Sequence, residues 1–136
     1  MRKIVFKTIC IFTLVFFVMS MTGAAACSNS CKSKTDARND SYNVKLKKCP
    51  KVTYCFNTVL KNDKGCNLKV ITTKTITTKL GGKVTMYSNG KFCYKAPSTC
   101  CYKKCSCTDT FNYCVKGKDG RTDCATVTLK LKCATC

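Results

Sequence analysis

Residues 83–95 read KVTMYSNGKFCYK, and residues 111–131 read FNYCVKGKDGRTDCATVTLKL. In the first stretch Val84 and Met86 alternate with Lys83 and Thr85, and Phe92 and Tyr94 alternate with Cys93 and Lys95. Apolar residues at every second position put one face of a strand in a core and the other in water. Asn89-Gly90 separates the two runs, and that pair tolerates the positive φ a tight hairpin needs. In the second stretch Phe111, Tyr113 and Val115 form one face. Asp119-Gly120 lies in the turn that follows, and Ala125, Val127, Leu129 and Leu131 form the next face.

The same period extends outward from these two hairpins. Tyr42, Val44 and Leu46 alternate with Asn43 and Lys45, and Val52, Tyr54 and Phe56 alternate with Thr53 and Cys55. Residues 68–79, LKVITTKTITTK, are β-branched and poor in helix formers, and Gly81-Gly82 closes them. These segments predict about seven short strands and an all-β, immunoglobulin-like antiparallel β-sandwich. Lys45, Lys69, Lys130 and Lys132 fall opposite the apolar series, which gives the sheets a cationic outer face.

The N-terminus reads differently. Arg2, Lys3 and Lys7 precede an apolar run from Ile9 to Met19, and Ala24 and Ala26 fit an A-x-A cleavage site. Residues 1–26 are therefore expected to be a signal peptide. Residues 27–38 form a cysteine-containing tail and 39–132 the sandwich, with a cysteine-rich insertion at 98–108; residues 133–136 are a C-terminal cysteine tail. Removing 26 of the 136 residues leaves 110 and takes away three basic residues and no acid, so the net charge falls from +19 to +16. The expected location is the secreted or extracellular-surface compartment.

Of 15 cysteines only Cys10 leaves with the signal. The remaining 14 are an even number, as a disulfide framework in an exported chain requires. The candidates are Cys27, Cys31, Cys49, Cys55, Cys66, Cys93, Cys100, Cys101, Cys105, Cys107, Cys114, Cys124, Cys133 and Cys136. Strand parity points Cys93, Cys114 and Cys124 away from the core. Cys114 and Cys124 flank the KGKDGR turn almost symmetrically, which predicts a bond between them across the hairpin. Cys27, Cys31, Cys133 and Cys136 sit at the chain ends, where they staple loose termini or cross-link neighbouring copies. Thiolates clustered at Cys100, Cys101, Cys105 and Cys107 would suit a soft metal, but export favours disulfides, and no metal or cofactor is expected.

Composition excludes several chemistries. The chain has no His, and its six acidic residues are all Asp. It therefore has no imidazole base for a triad or a zinc site, no glutamate pair for glycoside hydrolysis, and no base for a catalytic cysteine. No enzyme activity is expected. The charge favours polyanions. Lys dominates, and Arg38 and Arg121 are the only arginines after residue 26. Lys offers point charge without bidentate recognition, so sequence-specific nucleic-acid binding is not expected. An acidic polysaccharide or an anionic membrane is the expected partner, with self-association through the terminal cysteines. Asn39-Asp40-Ser41 is a glycosylation sequon, meaningful only in a eukaryotic secretory route.

Four strings within 37–131 resemble one known family. These are ARNDSYNV at 37–44, TVLKND at 58–63, GGKVTMYSNGKFCYKAP at 81–97 and DTFNYCVKGKDGRTDCATVTLKL at 109–131. In order and spacing they resemble bacterial immunoglobulin-like, cadherin-like (VCBS-type) adhesin repeats. The resemblance implies an extracellular sandwich used for surface display and adhesion, and it implies no reaction. Family members often hold calcium. Asp36, Asp40 and Asp63 are the only acidic residues in the first half of this chain, and they read as turn and cap residues. The chain departs from the family in being basic, cysteine-rich and single-copy. The functional expectation is a secreted or surface-displayed, non-enzymatic structural or adhesion module, disulfide-cross-linked into an array. The alternative is a cationic disulfide-rich effector, membrane-active or antimicrobial.

Overall fold

The computed structural model describes residues 32–47, 52–98 and 106–133. The expected signal peptide lies outside the described residues. The strands are β1 (Asp40–Leu46), β2 (Thr53–Phe56), β3 (Lys69–Val70), β4 (Thr75–Thr77), β5 (Lys83–Met86), β6 (Phe92–Lys95), β7 (Ser106–Lys116) and β8 (Thr122–Cys133), with a 3-10 turn at Val59–Lys61. They form two four-stranded sheets, β1-β8-β7-β3 and β2-β6-β5-β4. With β1 and β4 set aside, β3-β7-β8 and β2-β6-β5 carry the C-F-G and B-E-D orders of an immunoglobulin-like sandwich.

Three details differ from the reading of the sequence. First, β1 runs parallel to β8, from Asp40↔Val127 to Leu46↔Cys133, whereas every other pairing among the described strands is antiparallel. Parallel partners need not be neighbours in sequence, so alternation carries no trace of this pairing. Second, residues 68–79 form two short strands in different sheets. β3 pairs with β7 at the edge of one sheet and β4 with β5 at the edge of the other, so the chain crosses between the sheets from Val70 to Thr75. Third, β7 already begins at Ser106, inside the stretch read as an insertion, and β8 extends to Cys133, the first residue of the expected terminal tail.

Three turns share one hydrogen-bond pattern. In residues 78–82, 87–91 and 117–121 the first amide donates to the fifth carbonyl, and the fourth amide donates to the first carbonyl. The fourth residue is Gly81, Gly90 or Gly120, with φ of 89°, 81° and 76°. This is the three-residue hairpin loop with glycine in the left-handed region, so Asn89-Gly90 is not the centre of a two-residue turn. Gly90 is also sterically required: a Cβ there would lie 2.8 Å from Leu60 Cγ and closer still to Thr58 Oγ1.

The core follows the alternation. Val44, Leu46, Val84, Met86, Phe92, Tyr94, Phe111, Tyr113, Val115, Ala125, Val127, Leu129 and Leu131 are all buried. Tyr42 from one sheet meets Phe56 and Phe92 from the other, and Phe111 meets Phe92, with ring centroids 5.2–5.3 Å apart, while Phe56 and Phe92 stack at 4.9 Å within their own sheet. Ring contacts of this kind add to the burial of the side chains, and the tilted and edge pairs join the two layers.

Candidate functional site

All six acidic residues of the chain are described, and none lies on the outer face of either sheet. Asp109 is completely buried. Its carboxylate accepts from the Thr78 hydroxyl, from Tyr94 Oη at 2.8 Å, and from the Leu80 and Thr110 amides at 2.9 Å. Four donors replace the water that burial removes, so the anion is solvated by the protein. Thr78 and Leu80 follow β4 and Tyr94 lies in β6, while Asp109 lies in β7, so the network ties the sheets together.

Of the other five aspartates, Asp36 and Asp40 lie within the segment 35–40, and Asp63, Asp119 and Asp123 lie against it. The Asp119 carboxylate accepts from the Thr35 amide at 2.9 Å and from the Thr35 hydroxyl. Asp123 accepts from the Ala37 amide at 2.8 Å and Asp63 from the Arg38 amide at 2.7 Å. Asp36 pairs with Lys64 through two backbone bonds of 2.9 Å and with Arg38 Nε at 3.2 Å. The end of the expected tail is therefore docked on the sandwich. Tyr113 Oη lies 3.1 Å from Asp40 Oδ2 and from both Asp63 oxygens, and 3.2 Å from Arg38 O. One hydroxyl proton faces two carboxylates, and it can satisfy only one at a time.

Burial sets the electrostatics of this cluster, and the neighbouring charges add to it. Burial pushes the Asp40 carboxyl up to about 6; the bond from Tyr113 opposes the rise, and the Asp63 charge adds to it. Asp63 is also raised, by burial first and by Asp36 and Asp123 last. Burial beside these carboxylates lifts Tyr42 to about 12 and Tyr113 higher still. Asp119 is lowered by its bonds from Thr35. Of the three aspartates weighed as calcium ligands, Asp40 and Asp63 meet and Asp36 lies near Asp63, yet among the described residues no group of three or more acidic or cysteine side chains is placed to hold a metal ion. An open groove of about 620 Å³ lies beside this cluster, lined in part by Lys34, Asp36, Lys64, Arg121 and Asp123.

The outer face of the first sheet is built from hydroxyls, amides and ammonium groups. Pairing sets Lys45, Lys132 and Ser106 in one row, Asn43, Lys130 and Thr108 in the next, and Ser41, Thr128 and Thr110 in a third. Thr126 and Asn112 follow, joined at 2.9 Å, then Cys124 with Cys114. A shallow groove of about 210 Å³ lies at the lysine end, lined by Asn43, Val44, Lys45, Lys130 and Lys132. On the second sheet Thr53, Lys95, Lys83 and Thr77 share a row, and Lys83 Nζ donates to Thr77 Oγ1 at 2.6 Å.

The structure joins Cys114 to Cys124 across the β7–β8 hairpin, the pairing that symmetry about the turn predicts. It also joins Cys55 to Cys93 across β2 and β6. The sequence reading missed that bond, although Cys55 and Cys93 both stand opposite core residues in their strands. Each bond links neighbouring strands of one sheet on its outer face. Cys66 and Cys107 are disulfide-bonded as well. Cys133 ends β8 and packs partly against the core. Cys27, Cys31, Cys49, Cys100, Cys101, Cys105 and Cys136 lie outside the described residues, and with them most of the expected terminal cross-links. The C-x-x-C spacing of Cys133 and Cys136 also escaped the sequence reading. The sequon residue Asn39 turns its side-chain oxygen to the Thr126 amide at 2.9 Å. No protein-family model and no curated protein matches this chain.

Proposed function

We propose that this chain is a secreted or surface-displayed, non-enzymatic structural or adhesion module that engages a polyanionic surface through its lysine-bearing outer faces. One observation carries this reading: every acidic residue is either buried or gathered about residues 35–40, so the outer sheet faces hold lysines with no acid among them. Unopposed charge of one sign attracts polyanions and keeps copies apart until one arrives. Disulfides on the outer faces support an oxidising, extracellular setting. The resemblance to adhesin repeats supports the same reading, with the terminal cysteines as cross-links between copies.

The test is retention of the oxidised protein on polyanionic glycan beads against neutral glycan beads at physiological salt. Retention that fades with added salt supports the reading, and equal passage through both removes it. Half-exposed Ile71 and Tyr87, at 50% and 49% exposure, favour a second reading as a membrane-active cationic effector. Leakage of anionic vesicles at low protein concentration would establish that reading. Intact mass with and without reduction reports the signal cut and any covalent oligomers together.

A further inference from the structure

Two outer faces carry lysines, and they are not equivalent. On the second sheet Lys83 is engaged by Thr77, and Lys95 lies directly opposite it across β5 and β6. On the first sheet Lys45 and Lys132 lie directly opposite one another across β1 and β8, with Lys130 two residues away on the same face. Neighbouring strands stand about 4.8 Å apart, and alternate residues about 6.8 Å apart along a strand. Three ammonium stems therefore converge over a patch about 5 by 7 Å at one end of the sheet. Like charges directly opposite one another are unfavourable in the free protein. An arriving anion relieves that repulsion and gains three cations together.

Next to this patch the face continues in hydrogen-bonding groups: Asn43, Thr108, Ser41, Thr128 and Thr110, then Thr126 and Asn112. The rows from Lys132 to Thr126 extend about 20 Å along β8. A small anion would use the lysines and leave the rest idle. A membrane would require apolar side chains beside the cations, but the exposed large hydrophobic residues among those described lie elsewhere. Ile71 donates its amide to Cys114, toward the far end of β7 from Ser106, while Leu80 and Tyr87 sit in the 78–82 and 87–91 turns.

Resting on the polyanion reading above, we infer that the outer face of β1, β8 and β7 is a binding track for an acidic polysaccharide chain. Lys45, Lys130 and Lys132 hold a sulfate or carboxylate group in the groove they line with Asn43, and the Ser/Thr/Asn rows hydrogen-bond the adjoining sugar hydroxyls.

The experiment uses the full exported, oxidised chain and a heparin octasaccharide as probe, read by calorimetry at several salt concentrations. Circular dichroism and melting confirm that each variant is folded. The triple variant K45Q/K130Q/K132Q should bind about tenfold more weakly near physiological salt. It should also flatten the slope of log K against log salt by about three. K83Q/K91Q/K95Q, which alters Lys83 and Lys95 of the second sheet and Lys91 in its 87–91 turn, should change affinity by less than about threefold. N43A/T128A should weaken the octasaccharide yet leave the salt slope unchanged, because those side chains carry no charge. A larger loss from the second-sheet variant overturns the assignment to this face while the polyanion reading stands. An unaltered affinity in N43A/T128A overturns the polysaccharide assignment. So does binding to phosphatidylglycerol vesicles that outcompetes the octasaccharide. If the wild-type chain binds neither heparin nor dextran sulfate, the broader reading fails with it.

Discussion

Asp109 and the Asp40–Asp63 pair each meet a buried tyrosine hydroxyl, yet their situations are opposite. Asp109 is one carboxylate facing four donors from three segments, with no rival acid in the network. Asp40 and Asp63 are two carboxylates around the single Tyr113 hydroxyl. The first arrangement solvates its charge and joins the two sheets. The second sets two partly buried carboxylates around one hydroxyl proton; burial is the first cause of the raised Asp40 and Asp63 values, and the bond from Tyr113 opposes it in both. Burial sets the cost of an acid, and the donors that face it decide how much of that cost is offset.

The largest effect should come from Asp109. Asp109→Ala leaves two hydroxyls and two amides without their acceptor and should lower stability by about 3–5 kcal/mol, read by urea unfolding. A loss below about 1 kcal/mol would show that water replaces the carboxylate and that the staple is dispensable. Next comes the contrast between the tyrosines. Tyr94→Phe removes one donor from a buried charge and should cost about 2 kcal/mol, whereas Tyr113→Phe should cost about half as much. Adding Asp63→Asn to Tyr113→Phe should recover most of that smaller loss, and the corresponding double-mutant cycle is the measurement. If Tyr113→Phe proves the costlier of the two, the comparison is reversed.

A smaller effect, with a definite sign, belongs to Asp40. Its folded value of about 6 stands above the ordinary 3.8, so the native state holds the proton more firmly than the unfolded chain. Its contribution is therefore most favourable below about pH 4 and is lost as pH rises through about 6. Asp40→Asn keeps an acceptor for Tyr113 and should raise stability near pH 7.5 by on the order of 1 kcal/mol, a value discounted for the residue's solvent contact. The gain should vanish near pH 4, and thermal melts at the two pH values decide it. Asp119 has the opposite sign: its lowered value favours the fold above the ordinary 3.8, and the favour is lost as pH falls through the lowered value. Asp119→Asn should leave the melting temperature almost unchanged and speed hydrogen exchange at the Thr35 amide. An unchanged exchange rate would mean that the segment 35–40 is held without that bond.

Much of this was readable along the chain. Phe92, Tyr94, Phe111, Tyr113 and the Ala125–Leu131 series showed their inward faces through period two alone. The outward Cys114 and Cys124 followed from the same parity. The Cys55–Cys93 bond was not readable, because it depends on which strand lies beside β2. Asp109 read as one residue in a family-like string, and nothing local marks a carboxylate that will find Thr78, Leu80 and Tyr94. Likewise Asp40 and Asp63 are 23 positions apart, and Tyr113 is 50 positions beyond Asp63.

Alternation of side chains is a property of consecutive residues, so the chain's own order dictated an all-β sandwich, its inner faces and its lysine-bearing outer faces. The parallel seating of β1 on β8, the split of residues 68–79 between the sheets and the gathering of the aspartates away from the outer faces arose only when distant segments packed. Those outcomes depend on which partners close the layers, and partner choice is decided by shape and hydrogen-bond satisfaction across the whole core.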